Sequence, residues 1–146
     1  MAIVRTDQQL HVVSVDPMPH NVRVQPLRNA GFNFVLMPND RVGQLVSFKT
    51  RENLPCEVRC DLHPWMRAWV LIVDQPYATV TSADGTFRLN DLPRGEHELQ
   101  VWHERVGYLH ASPHSTSISV KIEDGQTTDI PALTVPFQTL VEHKQP

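Results

Sequence analysis

Residues 55–73, PCEVRCDLHPWMRAWVLIV, decide the reading of this chain. Pro55 to Cys60 and Ala68 to Val73 have the composition of strands, the second an unbroken apolar run. Between them Cys60-Asp61-Leu62-His63-Pro64-Trp65-Met66 is a tight loop that leaves one strand and enters the next. Its reactive side chains, Cys60, His63 and Met66, fall in a C-x2-H-x2-M pattern.

The same alternation recurs outward from this hairpin, and no helix-period segment exceeds about two turns. Further strands are expected at Leu10 to Val15, Val22 to Gln25, Gln44 to Lys49, Ala78 to Ser82, Thr86 to Asn90, His97 to His103, Thr116 to Glu123 and Thr127 to Val135. Turn signals separate them, at Asp16-Pro17, Pro38-Asn39-Asp40, Ala83-Asp84-Gly85, Pro93-Arg94-Gly95 and Asp124-Gly125. Short strands with frequent turns predict an all-β chain, a sandwich or a barrel-like Greek key. Twelve prolines against six glycines also weigh against long helices.

With 40% apolar and 20% charged residues the chain of 146 residues is not disordered, and its formal charge of −3 gives no support to nucleic-acid binding. No run approaches the roughly 18 apolar residues that cross a bilayer, and MAIVRTDQQL has no basic start followed by an apolar stretch. Two cysteines are too few for a disulfide scaffold. The character of the sequence changes near Asp74-Gln75-Pro76: both cysteines lie before it, and hairpins without cysteine follow. The expected organisation is residues 1–74, residues 75–140 and a tail, 141–146, with Ala68 to Val73 also suited to a strand shared by both halves.

One thiolate, one imidazole and one thioether on a tight loop form a soft donor set that suits copper better than a hard cation. A mononuclear copper electron-transfer site takes two histidines and a cysteine in a trigonal plane with a weak axial methionine, so the loop lacks one histidine. Met18-Pro19-His20-Asn21-Val22 can supply it, because His20 falls where a strand resumes after the Asp16-Pro17 turn.

At Met18 to Val22 and at Cys60 to Arg67, a C-x2-H-P-aromatic-M-R loop, the chain resembles the cupredoxins, and most closely the amicyanins among type 1 blue copper proteins. The resemblance covers about residues 8 to 74. It implies one copper ion with His20, Cys60 and His63 as equatorial ligands and Met66 as the axial one. Asn21 would tie the His20 segment to the cysteine loop and tune the Cys60 sulfur by hydrogen bonding. A cupredoxin of this type has about two more strands before the segment matching Leu10 to Val15, where this chain has about nine residues.

Cys56 admits two readings. The run Cys56-x3-Cys60-x2-His63-x2-Met66 is similar to the binuclear copper centre of cytochrome oxidase subunit II, except that two residues rather than three separate the second cysteine from the histidine. Against that, positions four apart on a strand are ~13 Å apart, too far for one bridge, which leaves a buried apolar thiol.

Thr79 to Leu89 with its Asp84-Gly85 turn, followed by Leu92-Pro93-Arg94-Gly95 and Leu99-Gln100-Val101, resembles the carboxypeptidase regulatory-like, transthyretin-type β-sandwich. The fold expected is thus a Greek-key cupredoxin-like β-sandwich lacking its first strands, followed by or merged with a transthyretin-like β-sandwich.

Met18, Pro19, Pro64 and Trp65 are suited to an apolar docking patch around His63, or to loop packing. His103, with His110 and His114 downstream, matches no metal template. No G-x-S-x-G elbow or paired-carboxylate context supports catalysis. The resemblances imply a periplasmic or secreted protein, not an enzyme, that shuttles single electrons between Cu(II) and Cu(I) and meets a dehydrogenase or cytochrome in a transient complex. Two other functions remain open: a metal-free interaction module with a vestigial copper loop, and copper storage or delivery.

Overall fold

The computed structural model describes residues 1–109 and 115–135. Every regular element among them is a strand, so the chain is all-β, as the period-two alternation predicts. In chain order the strands are β1 (Ala2–Arg5), β2 (Gln9–Val12), β3 (His20–Val24), β4 (Phe32–Leu36), β5 (Gln44–Ser47), β6 (Cys56–Arg59), β7 (Arg67–Val73), β8 (Gly95–Gln100), β9 (Trp102–His103), β10 (Gly107–Tyr108) and β11 (Ser117–Ile122). They fall in two compact units, Met1–Leu89 and Asn90–Pro146; the composition change read from the sequence lies earlier, at residues 74 and 75.

The first unit holds a five-stranded mixed sheet in the order β1-β7-β6-β3-β4. β6 and β7 form the antiparallel hairpin expected around the loop, with Cys56 opposite Val70 and Arg59 opposite Arg67. β3 pairs antiparallel with β6 on one side, Arg23 opposite Arg59, and with β4 on the other. β1 runs parallel to β7, placing Val4 beside Ile72. Alternation along the strands turns Val4, Val24, Cys56, Val70 and Ile72 to one face, where they form the core with Phe48. Leu10 and Val46, opposite each other in the separate β2–β5 pair, pack against this cluster. Ile72, Val70, Val24 and Phe48 are at most 1% exposed, and burial of each such side chain stabilises the unit by about 1.5–3 kcal/mol.

A polar latch joins two loops of this unit. The buried carboxylate of Glu52 accepts the backbone N–H groups of Leu27, Arg28 and Asn29 and the side-chain amide of Asn29. Asn29 in turn accepts the N–H groups of Lys49 and Thr50.

Two strands of this unit fall outside the expected set, β1 and β4, as does β10 in the second. The nine residues ahead of the Leu10 stretch thus hold a strand, and it pairs within the chain. Conversely, residues 78–82, 86–90 and 127–135 carry no strand. The Asp84-Gly85 turn does form: Ser82 N–H donates to the Thr86 carbonyl, Gly85 has φ 84°, and Asp84 accepts from the Thr86 N–H and hydroxyl. Its flanks do not extend into a ladder, with Val80 47% and Phe87 40% exposed; a lone hairpin without a face to bury is marginal in water.

In the second unit β8 and β11 pair antiparallel over six residues each, Leu99 opposite Ile118 and His97 opposite Val120, and β9 pairs with β10. His110, His114 and the tail lie outside the described residues.

Candidate metal centre

The centre is built where β3 begins and the 60–66 loop leaves β6. Continuing the β3–β6 register beyond Arg23 and Arg59 sets Asn21 opposite Asp61 and Val22 opposite Cys60. Alternation then turns His20 and Cys60 to the same inner face as Val24 and Cys56, as diagonal neighbours. The loop folds on its own chemistry. Met66 N–H donates to the His63 carbonyl at 2.8 Å, a turn whose second position, Pro64, has its φ already set. Cys60 N–H donates to the Met66 carbonyl at 3.4 Å, continuing the β6–β7 ladder and bringing Met66 opposite Cys60. His63 is thereby turned back over Cys60.

Three donor atoms converge. His20 Nδ1 lies 3.1 Å from His63 Nδ1 and 3.9 Å from Cys60 Sγ, and His63 Nδ1 lies 3.6 Å from Cys60 Sγ. A point equidistant from three atoms so spaced lies in their plane about 2.1 Å from each, inside the ~2.0–2.3 Å span of nitrogen and sulfur bonds to a d-block ion. His20 and Cys60 are buried and His63 partly so. The donor set and spacing fit a metal ion in trigonal coordination. Cys56, by contrast, sits in the core cluster beside Val70 and is not among the converging groups.

Burial pushes the Cys60 thiol up, but hydrogen bonds from the His20 imidazolium, which carries hydrogen on both ring nitrogens, from the Asn21 backbone N–H and from His63 outweigh it and bring the pKa down to about 7. The same contact with Cys60, helped by Asp16, raises the His20 imidazole above its ordinary value against the opposing effect of burial. Cys56 has no such partners: burial and the Glu52 carboxylate push its thiol up to about 11.

Asn21 ties the two segments together. Its side-chain oxygen accepts the N–H groups of Asp61 at 2.6 Å and Leu62 at 3.3 Å, while its amide donates to Asn33 Oδ1 and Asp61 Oδ2, both at 2.9 Å. Arg23 pairs with the other Asp61 oxygen at 2.8 Å. On the opposite side of His20, Nε2 donates to Asp16 Oδ2 at 2.9 Å. Asp16 and Asp61 were invisible as site residues in the sequence, where the one reads as a turn and the other as a loop filler; only the register shows what they reach.

Met18, Pro19, Pro64 and Trp65 are all exposed, and the Trp65 ring meets His63 edge-on with centroids 5.3 Å apart. Met66 is 39% exposed and positioned by its backbone at the loop end. No protein-family model, curated protein or solved structure matches the chain.

Proposed function

We propose that this protein holds one copper ion between His20, Cys60 and His63, with Met66 as a weak axial ligand, and carries single electrons. One observation supports this reading above the rest: two imidazole nitrogens and the Cys60 sulfur surround a common point at bonding distance. Two imidazoles and a thiolate suit copper in preference to hard cations. Bound copper supplies a one-electron Cu(II)/Cu(I) couple.

The protein's part is to keep the donors where they are. Asn21, braced by Asp61 and Arg23, fixes the Cys60 loop against β3, so the ligands need not move when the charge at their centre changes. The lowered thiol pKa of Cys60 offers the ion a thiolate near neutral pH. Pro64, Trp65, Met18 and Pro19 form an exposed apolar rim beside His63, on which a redox partner such as a dehydrogenase or cytochrome docks briefly. No substrate bond is made or broken. The finer fold reading, a Greek-key cupredoxin-like sandwich with a transthyretin-like module after it, belongs to this proposal, as does a periplasmic or secreted location.

Adding Cu(II) to the purified protein is expected to give an intense thiolate-to-copper absorption that disappears on reduction with ascorbate and never forms in Cys60→Ser. A folded protein that stays colourless overturns the proposal and favours a metal-free interaction module. Tight Cu(I) binding without reversible electron exchange indicates storage instead.

A further inference from the structure

We infer that Asp16 is a positioning residue of this centre: its carboxylate accepts the Nε2–H hydrogen bond of His20 and so commits the Nδ1 lone pair to the point shared with Cys60 and His63. The inference rests on the metal-binding reading above and deepens it.

A neutral imidazole has one N–H donor and one acceptor nitrogen, and which is which follows from its partners. Around His20 the partners compete. On the Nδ1 side lie Cys60 Sγ at 3.9 Å and His63 Nδ1 at 3.1 Å, both able to accept a proton and so to draw the hydrogen to Nδ1, where it would block a metal. On the Nε2 side stands one group, Asp16 Oδ2, at 2.9 Å. A carboxylate is the stronger acceptor, and it holds the hydrogen on Nε2.

Asp16 is not placed there by His20 alone. Its N–H donates to the hydroxyl of buried Ser14 at 3.3 Å, and its carbonyl accepts the Asn39 N–H at 2.8 Å. Ser14 N–H is in turn bound to the Asp40 carbonyl at 2.8 Å. The tight turn after β4, with Asn39 at φ 55°, thus grips the backbone on both sides of the carboxylate. Among the described residues no lysine or arginine pairs with Asp16, while Asp61, the other carboxylate near the site, is matched by Arg23. Half exposed to solvent, the Asp16 carboxylate acts on the centre through its bond to His20, where it makes the imidazole a better donor and favours the more highly charged ion.

The test uses Asp16→Ala and Asp16→Asn in the full chain. In the metal-free protein with His20 neutral, ring nitrogen shifts measured by NMR should show the hydrogen on Nε2 in the parent and in Asp16→Asn, whose amide oxygen still accepts, and a move toward Nδ1 in Asp16→Ala. Titrated with Cu(II), Asp16→Ala should bind roughly 10–100-fold more weakly. Asp16→Asn should lose Cu(II) affinity while keeping Cu(I) affinity, so its reduction potential rises; Asp16→Glu should restore part of the Cu(II) affinity lost in Asp16→Ala. An unchanged tautomer and unchanged Cu(II) affinity in Asp16→Ala overturn the inference. If Asp16→Ala does not fold, Asp16→Asn decides: an unchanged ratio of Cu(II) to Cu(I) affinity overturns it. A parent protein that gives no thiolate-to-copper absorption defeats the metal reading instead, and the tautomer comparison still decides whether Asp16 controls His20.

Discussion

Cys56 and Cys60 are buried alike, at 7% and 6% exposure, and differ in what surrounds the sulfur. Apolar neighbours and the Glu52 carboxylate disfavour a thiolate at Cys56, whereas two imidazoles and two amides stabilise one at Cys60. At pH 7 about half of Cys60 is thiolate and about 10⁻⁴ of Cys56; after the loss of nucleophilicity that accompanies a lower pKa, Cys60 should exchange with a small aromatic disulfide about 10²-fold faster in metal-free protein. Its rate should fall about tenfold per pH unit below pH 7 and level off above it, because only the thiolate attacks. Mass spectrometry of the singly modified protein identifies which cysteine reacted, and equal labelling would show that the two environments do not differ. Metal affinity follows the same sign, falling as pH drops below about 7, because protons then compete for the Cys60 thiolate and for His20, whose pKa is raised. Backbone demands are as local as these. Gly43 has φ 62°, and a Cβ there would run into the Val12 carbonyl and the Val13 side chain, so Gly43→Ala should lower stability by about 1–3 kcal/mol in a denaturant titration. The converging residues His20, Cys60 and His63 were legible because their spacing is their signal. Asp16 and Asp61 were not, because a carboxylate in a turn looks the same whether or not an imidazole or an asparagine waits across the sheet.

The 60–66 loop is held by three kinds of contact: the Pro64 turn, the ladder bond from Cys60 to Met66, and the Asn21 side chain acting as a rung where backbone pairing has ended. Asn21→Ala removes the last of these and leaves the backbone N–H groups of Asp61 and Leu62 without their acceptor. It should cost about 1–3 kcal/mol, read as a lower urea midpoint at unchanged slope, and should weaken Cu(II) binding roughly 10–100-fold. Glu52 is a comparable device away from the site. Glu52→Ala strands three backbone donors and an amide, and an expected loss of about 2–4 kcal/mol should appear with no change in the copper absorption, which separates general stability from the centre. Strands were legible where they flank a recognisable loop, as β6 and β7 flank residues 60–66. β4 escaped because Val35, on its outer face, is apolar yet 56% exposed, so Phe34-Val35-Leu36 breaks the alternation. β1 escaped because four residues with a parallel partner far along the chain carry no turn to announce them. The stretches around Asp84-Gly85 show the converse: turn chemistry is local and forms by itself, whereas a ladder needs a face to bury.

At the scale of the whole molecule, the donors, Asn21, Asp16 and the core all belong to Met1–Leu89. That segment on its own should therefore unfold cooperatively and give the same thiolate-to-copper absorption as the full chain; a broad, non-cooperative transition would show that residues 90 onward are needed to hold it. The pairing of β1 with β7 has a kinetic consequence. Ala2 lies beside Val70 and Arg5 beside Val73, so β1 waits for nearly the whole of the rest of the unit to be synthesised before it finds its neighbour. Closing such a long span costs entropy before any contact repays it, and parallel, non-local pairing is a slow way to complete a sheet. Both thiols and both imidazoles are thus on the nascent chain, open to oxidants and to stray metal, before the sheet that will separate Cys56 from Cys60 has closed around them.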